Sequence, residues 1–314
     1  MDRRKFLKTA AIAGAAASIK LGARAQNAVS NNVGQVLGSS ETEKKQAPVI
    51  VAVRNGEPGE MFRKGIEALG GMKAFVKPGQ TVVVKPNIGW NKPPEMAANT
   101  HPELIAEIVR QALAAGAKSV TVFDRTCNEW TSCYKNSGIE SAATEAGATV
   151  VTGQSESWYV DRECEGAVRM KSAKIHKSLL EADVVINVPV LKNHGGAKMT
   201  AAMKNYMGVV WDRGFMHNNN LPQCIADSIL YRKPDLNVID AYRIVTANGP
   251  QGRSADDVAL KKYQILSTDI VAADTLALKV IEYKPEQVPY LKLGETLGLG
   301  STDESTYDIK RIEV

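Results

Sequence analysis

Short, continuous runs of apolar residues recur along the chain from residue 48 onward, and segments with helical spacing separate most of them. The runs that predict strands are VIVAV, TVVVK, SVTVFD, ATVVTG, DVVINVPV, LNVID and YQILS. Strands that are apolar at every position are typical of a parallel sheet with both faces covered. The pattern therefore predicts an α/β fold with a mainly parallel, Rossmann-like sheet and helices on both faces.

Two of the helices predicted from this pattern lie next to candidate functional residues. The segment THPELIAEIVRQALAAG predicts a helix with Thr100 as its N-cap and Gly116 at its end. The segment AKMTAAMKNYMGVV, directly after Gly195 and Gly196, predicts a second helix. Residues 153–172 have mixed charge and two aromatic side chains, and we interpret them as a hairpin or a smaller inserted subdomain.

The first residues differ from the rest of the chain. Residues 1–25 have a charged start with Arg3 and Arg4, a weakly apolar Ala-rich run and the cleavage-type sequence Ala23-Arg24-Ala25. These features predict an export signal of the twin-arginine class, which engages the twin-arginine export machinery. Polar residues 26–46 then predict a flexible leader, and residues 47–314 a single α/β domain. The mature protein is expected in the periplasm.

The charge balance follows from this division. Residues 1–25 carry six basic residues against one acidic residue, which accounts for the whole net charge of +5. The mature protein is therefore formally neutral, which favours neither nucleic acid nor an anionic membrane surface as a partner. Cys127 and Cys133 are spaced for a local disulfide in an oxidising compartment, and small buried thiols are an equal alternative.

Polar side chains follow several predicted strands at the point where each strand ends. Lys85 and Asn87 end one strand, Asp124 and Arg125 another, and Asp240 ends LNVID. In an open parallel sheet, ligands bind outside the carboxyl ends of the strands. These residues are therefore expected to meet at one edge of the sheet.

The longest apolar run gives the sharpest signal, because it leads into Lys192, His194, Gly195 and Gly196. The glycines would let the backbone approach a ligand, and the N-terminus of the helix predicted after them would attract an anion. Lys198 would add positive charge. The pattern predicts a pocket for a small carboxylate or phosphate, and a structural glycine turn with solvated lysines is the alternative.

Chemistry at this pocket is assigned to three residues. His194 would transfer protons, oriented by Asp240 or Asp124, and Lys192 would assist in catalysis. Lys204 and Asn205 lie further along the predicted helix, where we expect them to bind the substrate with Lys85 and Asn87. A divalent metal held by His194, His217 and Asp240 is a further hypothesis. Motifs for NAD or an iron–sulfur cluster do not occur in the sequence.

These segments together resemble a known family. VVVKPN, ADVVINVPVLKNHGGAKMTAAMKN, RGFMH, KPDLNVIDAYRIVTANGPQG and STDIVAADTLAL occur in the order seen in the family catalogued as domain of unknown function 362. The resemblance implies an α/β fold and motif positions at Lys85, Asn87, Lys192, His194, Lys204, Asn205, His217 and Asp240. Several members carry a ferredoxin-like iron–sulfur module, and this sequence has no C-x-x-C-x-x-C run.

Three functions compete at this point. The leading hypothesis is an exported α/β enzyme that acts on a small anionic substrate. The second is a periplasmic binding or carrier protein without chemistry, in which the same lysines hold the anion. The third is an accessory redox protein related to the iron–sulfur members of the family.

Overall fold

The apolar runs form the strands of a computed structural model that describes residues 48–314. The signal peptide predicted at residues 1–25 and the leader predicted at residues 26–46 lie outside the described residues. The described strands, in chain order, are β1 (Val49–Arg54), β2 (Thr81–Pro86), β3 (Ser119–Val122), β4 (Thr149–Val150), β5 (Tyr159–Glu163), β6 (Ser172–His176), β7 (Val184–Val188), β8 (Val190–His194), β9 (Lys198–Thr200), β10 (Leu236–Val245), β11 (Val258–Ser267) and β12 (Asp308–Glu313).

The helices connect these strands along most of the chain. They are α1 (Pro58–Ala68), α2 (Pro102–Ala114), α3 (Trp130–Asn136), α4 (Ile139–Glu145), α5 (Lys177–Glu181), α6 (Ala202–Asn205), α7 (Arg213–Asn218), α8 (Leu221–Ile229), α9 (Ile270–Ile281) and α10 (Tyr290–Thr296). Within residues 48–314, none of them combines the length and the apolar character that a bilayer-crossing segment needs.

The main sheet is largely parallel, as predicted. Its order is β12-β1-β11-β10-β7-β2-β3-β4, and the short strand β8 adds to β10 and to β9. Strand β11 runs antiparallel to both of its neighbours, β1 and β10. The β8–β9 pair is also antiparallel. The prediction of an α/β fold with a mainly parallel sheet is confirmed.

Two apolar layers cover the sheet, one on each face. Along β2, Val82 and Val84 pack with residues of α1 and α2, including Phe62 and Leu104. Val83, between them, packs on the other face with residues of α8 and α9. Successive side chains of a strand point to opposite faces, so a strand covered on both sides must be apolar throughout. This explains why the strand pattern in the sequence is continuous rather than alternating.

The region interpreted as a hairpin or inserted subdomain does form a separate hairpin. Strands β5 and β6 pair with each other in antiparallel register, from Tyr159 opposite His176 to Glu163 opposite Ser172. They make a two-stranded sheet apart from the main sheet. The insertion therefore adds a small antiparallel element to the α/β fold.

Strands β7, β2 and β3 bring their carboxyl ends side by side. Lys85 lies opposite Asn187 in the parallel register, and Val84 lies opposite Val122 in the next strand. Asp124 follows two residues after Val122. Residues far apart in sequence thus meet at one edge, which is the geometric condition for a shared site.

The start of α2 contributes to this edge in an unexpected way. The sequence predicts Thr100 as the N-cap, but the cap position is His101 and the helix starts at Pro102. The Thr100 hydroxyl instead donates to the Val188 carbonyl (2.7 Å) and accepts from the Asn87 amide (2.8 Å). Thr100 therefore ties the ends of two adjacent strands together and fixes the backbone of Asn87.

Candidate functional site

A small cavity lies beyond the carboxyl ends of β2 and β3. Its volume is about 60 Å³, and its lining includes six residues predicted for the site: Lys85, Asn87, Lys192, His194, Lys204 and Asn205. The lining also includes Cys127, an exposed residue, so the cavity opens to the surface. The fold therefore brings these six predicted residues together. Their proximity does not test the roles that the sequence analysis gave to them.

Asn205, at the end of α6, links the cavity to the strand ends. Its side-chain amide donates to Asn187 Oδ1 (2.9 Å) and to the carbonyls of Lys85 (3.2 Å) and Pro86 (3.3 Å). Its oxygen accepts from Lys85 Nζ and from Asn87 Nδ2, each at 3.1 Å. A buried amide with this many partners fixes the orientation of its neighbours. Asn205 is therefore a positioning residue for Lys85 and Asn87.

Lys85 forms a buried ion pair with Asp124. The distance from Nζ to Oδ1 is 2.7 Å, and both side chains are almost fully buried. Asp124 also accepts hydrogen bonds from the backbone amides of Ile88 (2.7 Å) and Arg125 (2.8 Å). Burial lowers the pKa of Lys85, while Asp124 acts in the opposite direction. The pair contributes no net charge to the cavity.

Lys192 lies on β8 beyond Pro189, which separates β8 from β7. The side chain is 1% exposed, and Nζ donates to Asn87 Oδ1 (3.0 Å) and to the Ala98 carbonyl. Both acceptors are neutral, so the buried ammonium has no carboxylate partner in its hydrogen bonds. Burial lowers the pKa of Lys192 to about 7. This amine can therefore exchange a proton near neutral pH.

His194 is held by the turn that follows it. Its Nδ1 accepts hydrogen bonds from the backbone amides of Gly196 and Ala197, both at 3.1 Å. Burial, together with the charges of Lys204 and Lys192, lowers the pKa of His194 to about 3. A neutral ring whose Nδ1 is an acceptor carries its proton on Nε2. The geometry therefore makes His194 a hydrogen-bond donor toward a ligand rather than a proton acceptor.

Three further cations line the same cavity. The Lys204 ammonium is partly buried, and burial lowers its pKa to about 8. The Arg125 guanidinium stacks over Trp211, with its carbon 4.4 Å from the ring centroid. Arg213 donates to the carbonyls of Arg125 (2.9 Å) and Thr126 (2.6 Å). The cavity is thus cationic, because neutral groups hold the two arginines.

Thr200 adds an unpaired hydroxyl. It lies directly opposite Lys192 in the β8–β9 pair, so the two side chains are neighbours on one face. Thr200 is 3% exposed and lines the cavity, and its hydroxyl has no hydrogen-bond partner among the described residues. Buried hydroxyls are normally hydrogen-bonded, so this one is available to a ligand.

The prediction of a helix directly after the glycines is wrong. Gly195 and Gly196 form the turn of a hairpin, and β9 begins at Lys198, which lies opposite His194. Lys198, the first residue after the turn, rather than either glycine adopts a positive φ, of 66°. Helix α6 begins only at Ala202. No helix N-terminus therefore faces the cavity at the glycines, and Gly195, Gly196 and Lys198 are not among its lining residues.

Asp274 explains where α6 begins instead. Its carboxylate, fully buried, accepts from the backbone amides of Ala202 (2.6 Å) and Met203 (3.0 Å). Burial raises the pKa of Asp274 to about 7. An acidic side chain at a helix start satisfies the free amides there. Asp274 thus fixes the segment that carries Lys204 and Asn205, and it acts on the cavity only through that segment.

Asp240 does not line the cavity, contrary to the prediction that it orients His194. Strand β10 continues past it to Val245, so Asp240 lies inside a strand rather than at its end. Its carboxylate accepts from the backbone amides of His101 (2.8 Å) and Tyr242 (3.0 Å), and burial raises its pKa. Asp240 is occupied in fixing the start of α2.

The metal site hypothesised from His194, His217 and Asp240 is not assembled. Within residues 48–314, no group of three or more His, Cys, Asp or Glu side chains is arranged to hold a metal ion. His217 is close enough to His194 to affect its pKa, but Asp240 lies elsewhere. Nδ1 of His194 is already an acceptor of two amides, which leaves its Nε2 protonated and unsuited to bind a metal.

The cysteines are free thiols in the described part of the chain. Cys127 is exposed at the cavity and Cys133 is buried in the core, and the structure pairs neither in a disulfide. Arg213 approaches the Cys127 sulfur at 3.4 Å. The structure therefore has no Cys127–Cys133 bridge, and the alternative of small buried thiols fits Cys133 but not the exposed Cys127.

The residues that line the cavity lie in a region that matches a known family. A family model described as "Domain of unknown function (DUF362)" matches residues 82–279. The chain belongs to this family. The match extends from β2 to α9, so it contains every residue that lines the cavity of this DUF362 chain.

Two proteins similar to this DUF362 chain provide a comparison. The thylakoid-associated protein sll1697 of Synechocystis sp. is 27% identical over 249 residues, which are 77% of this chain and 75% of the relative. The lactate racemase apoprotein of Thermoanaerobacterium thermosaccharolyticum is similar in structure, with a TM-score of 0.46 and 11% identity. That similarity covers 74% of this chain and 56% of the racemase chain.

Several cavity residues are not predicted from the sequence. The sequence pattern marks Arg125 only as a strand end, and it places Thr200 and Gly208 in a helix. Arg213 stands in the loop motif RGFMH. A single arginine in a loop does not indicate which residues it contacts in the fold. These residues meet because the segment after β3, strand β9 and helix α7 reach the same cavity, which no local pattern encodes.

Proposed function

We propose that this protein is an exported α/β enzyme that binds a small carboxylate- or phosphate-bearing substrate in the cavity. One observation carries the proposal. Lys192, Lys204, Arg125 and Arg213 all line the cavity, and none of them is in an ion pair within residues 48–314. Lys192 is buried and the other three cations are half-buried. Such cations without a counter-charge are costly, so a bound anion would relieve that cost.

Each lining residue has a role in this proposal. Lys204 and Arg125 attract and hold the anion, and His194 donates a hydrogen bond from Nε2. Lys192 transfers a proton, since its pKa of about 7 gives it both protonation states near neutral pH. Asn87, Asn205 and the Lys85–Asp124 pair keep Lys192 and the strand ends in place. The proton-transfer role thus falls on Lys192 rather than on His194.

Replacing Lys192 separates binding from chemistry. Lys192→Arg keeps a charge but cannot release a proton near neutral pH. We expect it to retain sulfate binding within about tenfold and to lower turnover by about 10²–10⁴-fold. Both are measured on protein purified from the periplasm, with calorimetry for sulfate and a panel of small carboxylates and phosphate esters for turnover.

The control for that experiment is His194→Gln. Glutamine keeps a hydrogen-bond donor, so we expect turnover to fall much less than in Lys192→Arg. If turnover survives unchanged in Lys192→Arg, Lys192 is not the proton-transfer group.

The second candidate is a periplasmic binding or carrier protein without chemistry. The observation in its favour is that Nδ1 of His194 accepts from two backbone amides. The proton is then on Nε2, which makes this histidine a hydrogen-bond donor and not a base. A wild-type protein that binds sulfate but converts no member of the panel would support this candidate over the enzyme.

Anion affinity is expected to depend on pH. The pKa values of Lys192 and Lys204, about 7 and about 8, are lowered by burial, and a bound anion raises both again. Binding therefore takes up protons, and affinity is full below pH 7 and falls as pH rises through both values. Sulfate, whose charge is constant in this range, should bind about 100- to 1000-fold more weakly at pH 9 than at pH 6.

Titration calorimetry in buffers of different ionisation enthalpy checks this expectation, because the proton uptake appears in the measured heat. An affinity that stays constant from pH 6 to pH 9 would show that neither lysine contacts the anion.

Export by the twin-arginine route is proposed from Arg3, Arg4 and the apolar run that follows. Replacing both arginines by lysine keeps the charge but removes the pair that defines the signal. We expect the full-length precursor to accumulate in the cytoplasm and the mature form to disappear from the periplasmic fraction. The control is Lys20→Arg, which leaves the arginine pair intact. Unchanged periplasmic protein in the double variant would refute this route.

A further inference from the structure

The charges of the cavity specify more about its ligand than that it is an anion. Among the described residues, Asp124 is the one carboxylate in the lining, and Lys85 already neutralises it at 2.7 Å. Four cations therefore remain without a negative partner in the described residues. One negative charge would leave most of this positive charge uncompensated, at short range and with little water between the groups.

The hydrogen bonds of these cations do not remove their charge. Lys192 donates to neutral oxygens, and Arg213 donates to two backbone carbonyls and to the Cys127 sulfur. The Lys204 ammonium makes no hydrogen bond to a described residue, and the Nε of Arg125 is buried without a partner among them. These last two cations are the least satisfied, and both face the same small volume.

The groups that remain free are all donors. They are the ammonium of Lys204, the guanidinium of Arg125, the Nε2–H of His194 and the hydroxyl of Thr200, which can also donate. Thr200 is an independent indication of a ligand, since its hydroxyl is buried and unpaired for no structural reason. A ligand that satisfies them needs several acceptor oxygens pointing in different directions.

The volume limits the size of that ligand. A cavity of about 60 Å³ holds about four to six water-sized groups. A tetrahedral oxyanion has five heavy atoms and fits this space, and any larger part of the molecule would extend through the opening beside Cys127. A planar monocarboxylate presents its acceptor sites close to one plane, whereas a tetrahedral anion presents oxygens in several directions.

We propose that the ligand group is a doubly charged tetrahedral oxyanion, of the phosphate or phosphomonoester class, held by Lys204, Arg125, His194 and Thr200. This inference rests on the proposed function and narrows its substrate class. Its two negative charges compensate more of the charge of the four cations than a monoanion could, and its four oxygens can accept from the free donors.

Pairs of anions with the same tetrahedral centre test the effect of charge. Calorimetry at pH 8, where phosphate is mostly the dianion, compares sulfate with methyl sulfate and phosphate with dimethyl phosphate, and acetate serves as the monocarboxylate. We expect each dianion to bind at least about tenfold more tightly than its monoanionic partner and than acetate, a difference that corresponds to about 1.4 kcal/mol. Methyl phosphate distinguishes the source: binding as tight as phosphate indicates an ester group, and much weaker binding indicates the free anion.

Variants assign the selectivity to the named groups. Lys204→Met and Thr200→Val should each reduce the preference for sulfate over methyl sulfate at least threefold, and Lys204→Arg should restore it. Lys64→Met removes one exposed charge on α1 and should leave the preference unchanged. An unchanged thermal midpoint shows that a variant is folded, and Thr200→Val provides the test if Lys204→Met is not.

The outcomes separate this inference from the proposed function. If acetate and methyl sulfate bind as tightly as sulfate, the inference is overturned while anion binding stands. If none of these anions binds, both the inference and the proposed function are wrong. A preference for dianions that survives in Lys204→Met and Thr200→Val would place the dianion site elsewhere, which also overturns the inference.

Discussion

Asp124→Ala is expected to lower the free energy of unfolding by about 3–5 kcal/mol. The substitution leaves the Lys85 ammonium buried without a counter-charge, since Lys85 and Asp124 are almost fully buried and 2.7 Å apart. It also removes the acceptor for the backbone amides of Ile88 and Arg125. Chemical denaturation of the mature protein, monitored by circular dichroism, measures the change.

The matched control is an exposed ion pair. Lys261 and Glu282 are 3.1 Å apart, and the Glu282 side chain is 78% exposed. Glu282→Ala should leave the denaturation midpoint unchanged, because water screens such pairs. Adding Lys85→Met to Asp124→Ala should recover part of the lost stability. A single Asp124→Ala variant as stable as the wild type would mean that the pair is not buried in the folded protein.

Gly208→Ala has the second-largest expected effect, a loss of about 3 kcal/mol. Gly208 follows α6 and packs against the ion pair. A Cβ at this position would lie 1.9 Å from Asp124 Oδ1 and 2.6 Å from Lys85 Nζ. Both side chains line the cavity, so they can avoid the methyl group only by shifting toward it, which disrupts the ion pair and the anion site. We expect a lower denaturation midpoint together with loss of sulfate binding.

Gly166→Ala is the control for a methyl group added to a glycine. Its Cβ would meet Leu230 at 3.8 Å, an ordinary van der Waals contact. The effect should be within about 0.5 kcal/mol. If Gly208→Ala behaves like Gly166→Ala, the close approach of α6 to the ion pair does not exist.

The fold is predictable from the sequence because strand burial leaves a local record. Strands such as β2 and β7 contact helices on both faces, so nearly every position is apolar and the run is visible without any tertiary information. The same reasoning places Lys85 and Asp124 at one edge. Alternating strands and helices in the sequence indicate parallel strands. The carboxyl ends of parallel strands lie at the same edge of the sheet.

The site is only partly predictable, and the errors have physical reasons. Ala, Met and Lys after Gly196 favour a helix, yet the start of α6 is set by Asp274, a residue 72 positions away from Ala202. The sequence places Asp240 at the end of a strand, but β10 continues past it. The buried Asp240 carboxylate accepts hydrogen bonds from the amides of His101 and Tyr242. In both cases a buried carboxylate binds backbone amides from a distant segment, which no local pattern indicates.

The sequence also does not reveal which nitrogen of His194 carries the proton. A histidine before two glycines suggests a general base, but here the turn places two amides on Nδ1. The turn therefore decides which nitrogen carries the proton, and with it the chemistry available to the ring. We assign proton transfer to Lys192 because of this geometry and not because of residue type.

The central claim is that a small anion binds among Lys204, Arg125 and His194. A crystal structure of the mature protein soaked in selenate tests it most directly, since the anomalous signal of selenium locates the anion independently of the protein density. The account predicts a selenium peak in the cavity, with anion oxygens about 3 Å from Lys204 Nζ and His194 Nε2. A cavity that holds only water while selenate occupies surface sites would contradict it.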